Sequence, residues 1–167
     1  MPIAQLLLPE FDHEMANTRR LLEIVPAADA AWRPHPKSWT LGDLASHIAT
    51  LPLWARLTME RSELDPGSPA NASLQRVRFT TIPELLEQFD RNVRDARAAL
   101  AAASDAAMGE TWTLKSGAAT VFSMPRAAVM RGFVLNHMIH HRGQLTVYLR
   151  LRDVPLPSIY GPTADTR

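Results

Sequence analysis

His137 and His141 stand four residues apart in the run Asn136-His137-Met138-Ile139-His140-His141-Arg142-Gly143-Gln144, inside a long apolar segment that reads as helix. Residues four apart stack on one helix face, so the two rings can aim nitrogens at a common point. Two imidazoles together on a buried stripe would strand polar atoms in a core unless something bound them. A third ligand must come from another element, and His47, in an amphipathic helix of its own, is the best candidate. Three protein ligands leave a coordination position open for water or substrate, the arrangement of catalytic rather than structural zinc sites. The spacing is not that of the His-Glu-x-x-His metalloproteases, because Met138 stands where that motif carries its general base. Taken singly, His47 reads more readily as a core residue with a satisfied hydrogen bond than as a ligand. His140 lies about 60° around the helix from His137, so it flanks the site or faces a partner rather than ligating. His13 and His35 read as exposed.

Composition narrows the donors. The chain has 167 residues, 46% of them hydrophobic, with a formal net charge of +1, which suits one domain over 1–167 with a sizeable core and no strong electrostatic partner. It has no cysteine, so thiolate catalysis, disulfides and sulfur-ligated metals are excluded and any metal must be held by nitrogen and oxygen. The start Met1-Pro2-Ile3-Ala4-Gln5-Leu6-Leu7-Leu8 has no basic leader and soon meets Pro9, Glu10 and Asp12, and no apolar run is long enough to span a bilayer. The expectation is a cytoplasmic protein without a membrane partner. Glu87 with Arg91 and Asp90 with Arg94 are oppositely charged pairs four apart, so the row Arg91, Arg94, Arg97 reads as a solvated face rather than a nucleic-acid surface.

The elements that must position the histidines are helices. Phe11, Met15, Thr18, Leu22 and Val25 recur at helical spacing and predict a first helix ending near Val25, before Pro26. Thr40-Leu41-Gly42-Asp43 is a capping pattern that opens a second, with Leu44, His47, Leu51 and Thr58 on its apolar face and Pro52 predicting a kink one turn past His47 that opens space beside a metal. Ser62 to Thr80 is a long loop, able to cross the end of a bundle. Thr81-Ile82-Pro83-Glu84 caps a third helix, on which Leu85, Phe89, Val93, Ala96 and Leu100 form the stripe. Thr111–Leu114 and Ala119–Phe122 flank a turn and predict a hairpin, which must pack on the helices to be stable. A fourth helix starts at Ser123 and Pro125 and carries His137 and His141 to about Arg152. The predicted fold is all-α: a four-helix bundle with a crossover between helices 2 and 3 and a small β-hairpin before helix 4.

The string Trp32-Arg33-Pro34-His35-Pro36-Lys37-Ser38-Trp39-Thr40-Leu41-Gly42-Asp43-Leu44-Ala45-Ser46-His47-Ile48, the His137 to Gln144 run, and the close Val154-Pro155 to Ile159-Tyr160-Gly161-Pro162 together resemble the DinB family over nearly the whole chain. The resemblance implies a four-helix bundle of this topology, often a homodimer, with a divalent ion, commonly nickel or zinc, on His47, His137 and His141. Relatives in that family include bacillithiol S-transferases and mycothiol-dependent maleylpyruvate isomerase.

Around the three histidines the sequence offers further candidates. Asp43, four residues before His47, can hold the distal nitrogen of that ring or simply cap the helix, and the Thr40–Asp43 spacing favours the cap. Gln144, Tyr148 and Trp54 are candidates for the substrate pocket, with core packing the competing role of Tyr148. Arg142 suits either the carboxylate of an acidic thiol or a surface Glu, and Gly143 suggests close approach by a helix or substrate. Two functions remain open. One is a metal-dependent transferase or hydrolase activating a low-molecular-weight thiol or water against a small-molecule substrate; the other is a non-catalytic metal-binding bundle with a structural or association role.

Overall fold

The computed structural model describes residues 1–74 and 78–166, and of Ser73 the backbone alone. Helical periodicity resolves into four long helical runs: α1 (Ile3–Glu23), α2 (Leu41–Glu60), α3 (Ile82–Ala101) and a final run to Arg150. A short α4 (Asp105–Gly109), capped by Ser104, makes a fifth helical run where four were expected. The capping patterns act as read: Thr40 Oγ1 accepts from the Asp43 N–H at 3.1 Å and Thr81 Oγ1 from the Glu84 N–H at 3.3 Å. α2 runs uninterrupted through Pro52.

Side-chain contacts give the helix directions. Gln88 donates to Thr50 Oγ1, Asn92 to the Ala49 carbonyl, and Arg56 pairs with Asp95, so α2 and α3 climb together and run parallel. Arg19 with Asp90 and Arg97 with Asp12 make α1 antiparallel to α3. The crossover between helices 2 and 3 follows, because a short turn cannot join parallel neighbours. Within the expected Ser62–Thr80 loop lie a two-residue strand and the 3-10 turn Pro69–Leu74; residues 75–77 of that loop lie outside the described residues. Gly42 receives the far end of the crossover: a Cβ there would stand 3.0 Å from Phe79 Cβ and 3.1 Å from the Ala30 carbonyl oxygen. The Arg91, Arg94, Arg97 row is exposed as expected, but Asp90 pairs across to Arg19 on α1 rather than with Arg94.

The class is mainly rather than purely helical. β2 (Thr111–Ser116) and β3 (Ala119–Pro125) form the expected hairpin, with Gly117 at φ 60° taking the positive-φ position of the turn. β1 (Glu63–Leu64) adds a third strand, parallel to β2 with Leu64 opposite Leu114. Two residues are too short to show alternation, so this strand left no sequence signature. The sheet covers its own small core of Leu57, Leu64, Trp112, Leu114 and Val129, against which Trp54 and Phe133 pack. The main core, with Phe11, Leu22, Leu44, Ile48, Phe89, Val134, Met138 and Leu145, lies between the long helices. Each such side chain withdrawn from water contributes about 1.5–3 kcal/mol.

The final run starts later than expected. β3 continues through Pro125, whose ψ of 144° is extended, and helix begins at Arg126. The run comprises α5 (Arg126–Ala128), a π-helical segment Val129–Leu135, and α6 (Asn136–Arg150). A π segment widens the helix and shifts which residues face inward, a change frequently found beside functional sites.

Candidate metal centre

α2 and α6 pack antiparallel and bring the three histidines together. Trp39 meets Tyr148 and Trp54 meets Phe133, with His47 against His137 and His141 between them. His137 Nε2 lies 3.3 Å from His47 Nε2 and 2.9 Å from His141 Nε2. One ligand atom from each ring falls within 4.8 Å of the others, with His141 buried and the other two half-buried. These three residues could hold a metal ion.

The donor chemistry fits a cation. Nitrogens bound about 2.0–2.1 Å from a tetrahedral zinc stand about 3.3 Å apart, close to the separations around His137 Nε2. Hydrogen bonding alone serves the cluster poorly. Gln144 Oε1 is 2.7 Å from His141 Nδ1, which places that ring's single proton on Nδ1 and leaves a lone pair on Nε2. His137 Nε2 is within hydrogen-bonding distance of two ring nitrogens at once, and one ring nitrogen makes only one such bond. The other nitrogen of that ring, Nδ1, is buried, and the Phe133 carbonyl is the backbone acceptor that acts on the ring. A positive ion facing three Nε2 lone pairs resolves the conflict between them.

Burial also readies the rings. Desolvation, with the neighbouring His141 and His140, pushes the His137 pKa down to about 4, and the Phe133 carbonyl only partly opposes it. Burial lowers His141 too, against the stabilising Gln144 contact. Both rings are therefore neutral at pH 7, the form that ligates a metal.

The sequence candidates separate. Gln144 stays with the site, oriented on His141. Tyr148 lines a cavity of about 340 Å³ with Lys37, Ser38, Trp39, Leu44, His141 and Gln144, and its hydroxyl donates to the Trp39 carbonyl at 3.3 Å. Trp54 meets Phe133, whose ring is in turn 5.4 Å from that of His137. Asp43 sits in the first turn of α2, its N–H on the cap, beside a different cavity lined by Arg33, Arg78 and Phe79. Arg142 points away: it is 2% exposed and pairs with buried Glu14. A Cβ at Gly143 would meet nothing within 4 Å, so no helix approaches it closely and no neighbouring side chain explains that glycine. His140 is exposed beside His141, and His13 and His35 are exposed as expected.

Trp39 is the residue sequence reasoning missed. Its ring stacks on His141 at 5.4 Å and 20° and meets His47 edge-on at 4.9 Å, walling the site from the loop side. Its place directly before the helix cap Thr40 was the available signal, since it precedes His47 by eight residues, about two helical turns, at the mouth of α2. The cavity that His141 lines thus lies toward this loop and the start of α2.

Residues 10–145 match the family model described as the DinB superfamily. Two crystal structures share the fold. One is a DinB-like protein of Bacillus subtilis, YjoA, with a TM-score of 0.69, 18% identity, and coverage of 97% of this chain and 99% of that one. The other is a DinB-like protein of Bacillus cereus, with a TM-score of 0.70, 22% identity, and coverage of 92% and 95%. A shorter match, 40% identical over 42 residues, is to the protein YrdA of Bacillus subtilis and spans 25% of this chain and 25% of that relative.

Proposed function

This chain belongs to the DinB superfamily, and from that premise we propose that it is a metal-dependent enzyme holding one divalent ion, zinc or nickel, on His47, His137 and His141. The observation that carries this reading is the convergence of three imidazole nitrogens within 4.8 Å. A divalent ion held there would lower the pKa of a thiol or water and polarise an electrophile. The chain has no cysteine, so a thiol nucleophile must come from a low-molecular-weight cofactor, and otherwise the nucleophile is water.

The residues around the triad have definable tasks in this reading. Gln144 holds the His141 proton on Nδ1, keeping Nε2 free to ligate. Trp39 covers one face of His141 and limits water there. Lys37, Ser38 and Tyr148 line the cavity beside that ring and contact a small substrate. Among the described residues no helix is long and apolar enough to cross a membrane, which suits a cytoplasmic enzyme. Val147 on α6 and Leu151 just past its end, both more than half exposed, offer apolar surface for a homodimer.

The test is metal analysis of protein purified without a histidine tag, followed by a panel of small thiols and electrophiles. Near one ion per chain, with turnover abolished by chelator and restored by zinc or nickel, is expected. Stoichiometric metal with no turnover under any condition would leave a non-catalytic bundle in which the ion ties α2 to α6. Unchanged metal content in His47→Ala and His137→Ala would end the metal reading altogether.

A further inference from the structure

On the far side of α6 from the triad, a buried ion pair has a lid supplied by the end of the chain. Arg142 Nη2 lies 2.5 Å from Glu14 Oε2, and the side chains are 3% and 6% exposed. Arg142 Nη1 donates to the Glu14 carbonyl at 3.1 Å and to Thr18 Oγ1 at 3.4 Å. Tyr160, from the segment after α6, accepts from Arg142 through its hydroxyl and sets that hydroxyl 2.8 Å from both Glu14 carboxylate oxygens. Its ring lies over the guanidinium at 5.2 Å. The segment is pinned further by Arg150 on Asp165, whose carboxylate accepts from the Leu156 N–H.

Charges removed from water are tolerated only when their hydrogen-bonding capacity is filled, because desolvation costs several kcal/mol per ion. Here the filling is shared among α1, α6 and the tail, so the pair holds α6 in one rotational setting against α1. Arg142 follows His141 directly and lies about 140° around the helix from His137. A rotation of about 10° about the helix axis would carry an imidazole nitrogen about 1 Å, given a helix radius with side chains of about 5–6 Å. Displacements of that size are enough to spoil a ligand geometry.

We propose that Tyr160 is a positioning residue for the metal centre: by closing the Arg142–Glu14 pair from the tail, it fixes the aim of His137 and His141 without touching the ion. The inference rests on the metal reading given above. It makes the tail part of the site although no described tail residue lines the cavity beside His141.

The experiment compares wild type, Tyr160→Phe and Glu14→Gln by zinc competition against a chromophoric chelator, by the visible spectrum of the cobalt-loaded protein, and by thermal unfolding without metal. Tyr160→Phe keeps the ring over Arg142 and removes only the hydroxyl, so folding is expected to survive. Loss of zinc affinity of about tenfold or more in both variants is expected, the scale seen when groups supporting metal ligands are removed. A changed cobalt spectrum should accompany it. A purely structural contact would lower the metal-free melting temperature and leave the zinc dissociation constant of the folded protein unchanged, and that result in both variants overturns the proposal. Wild-type protein with no zinc affinity would instead overturn the metal reading itself.

Discussion

Gln144 Oε1 stands 2.7 Å from His141 Nδ1, three residues away along α6, so the ring that a ligand helix presents is oriented by the same helix one turn later. The contact fixes which nitrogen of His141 carries the proton, and the triad needs the other one free. Gln144→Leu should therefore weaken zinc binding about tenfold while Gln144→Glu, which keeps an acceptor, retains or strengthens it. Isothermal titration of the two variants decides the point, and equal affinity in wild type and Gln144→Leu would remove Gln144 from the site.

The depressed His137 pKa sets a pH dependence for the metal-free protein. In the unfolded chain that histidine titrates near its ordinary value of about 6.5, whereas in the folded chain it titrates at about 4. Above pH 6.5 both states are neutral and the group has no effect. As pH falls from about 6.5 toward 4 the unfolded state takes up the proton first, so stability declines across that window. Urea midpoints of metal-free protein should drop between pH 7 and 4.5, and less so in His137→Phe; parallel curves for the two proteins would refute the assignment.

Gly42 should not tolerate a side chain. A methyl there meets Phe79 Cβ at 3.0 Å and a backbone carbonyl oxygen at 3.1 Å, neither of which is the flexible end of a side chain. Gly42→Ala is expected to cost about 1–3 kcal/mol, the range for overpacking a well-filled site, despite the higher helix propensity of alanine. Denaturant unfolding measures this directly, and a stabilised variant would show that the crossover moves freely over the start of α2.

The Arg142–Glu14 pair predicts asymmetric mutational costs. Arg142→Met leaves the Glu14 carboxylate buried without its cation and should destabilise by about 3–5 kcal/mol. Arg142→Met combined with Glu14→Leu removes both charges and should recover most of that loss. A double-mutant cycle by chemical unfolding gives the coupling; additive losses would mean that the two side chains do not act as a unit.

Trp39 should report on the site. Its ring lies 5.4 Å from that of His141, so nickel binding on the histidines is expected to quench part of the tryptophan fluorescence. In Trp39→Phe that fraction should disappear while the nickel affinity stays within a few-fold of wild type. Undiminished quenching in the variant would place the responding indole elsewhere, with Trp54 the next nearest through Phe133.

Local spacing made part of this protein legible from its sequence alone. The four-residue step between His137 and His141 already places them on one helix face, and the caps at Thr40 and Thr81 mark where two helices begin, because both depend on neighbours within a turn. The long helices and the hairpin follow from the same short-range periodicities. What depends on groups distant in the chain was decided only by the tertiary structure. From the sequence Arg142 suits either the carboxylate of an acidic thiol or a surface Glu; its partner, the buried Glu14, is brought to it by α1 packing on α6. Trp39 became a wall of the site, and Leu64 a strand partner of Leu114, for the same reason. The meeting of His47 with the other two rings needs α2 and α6 to run antiparallel at one depth, a matter of core packing that no spacing between residues 47 and 137 can encode.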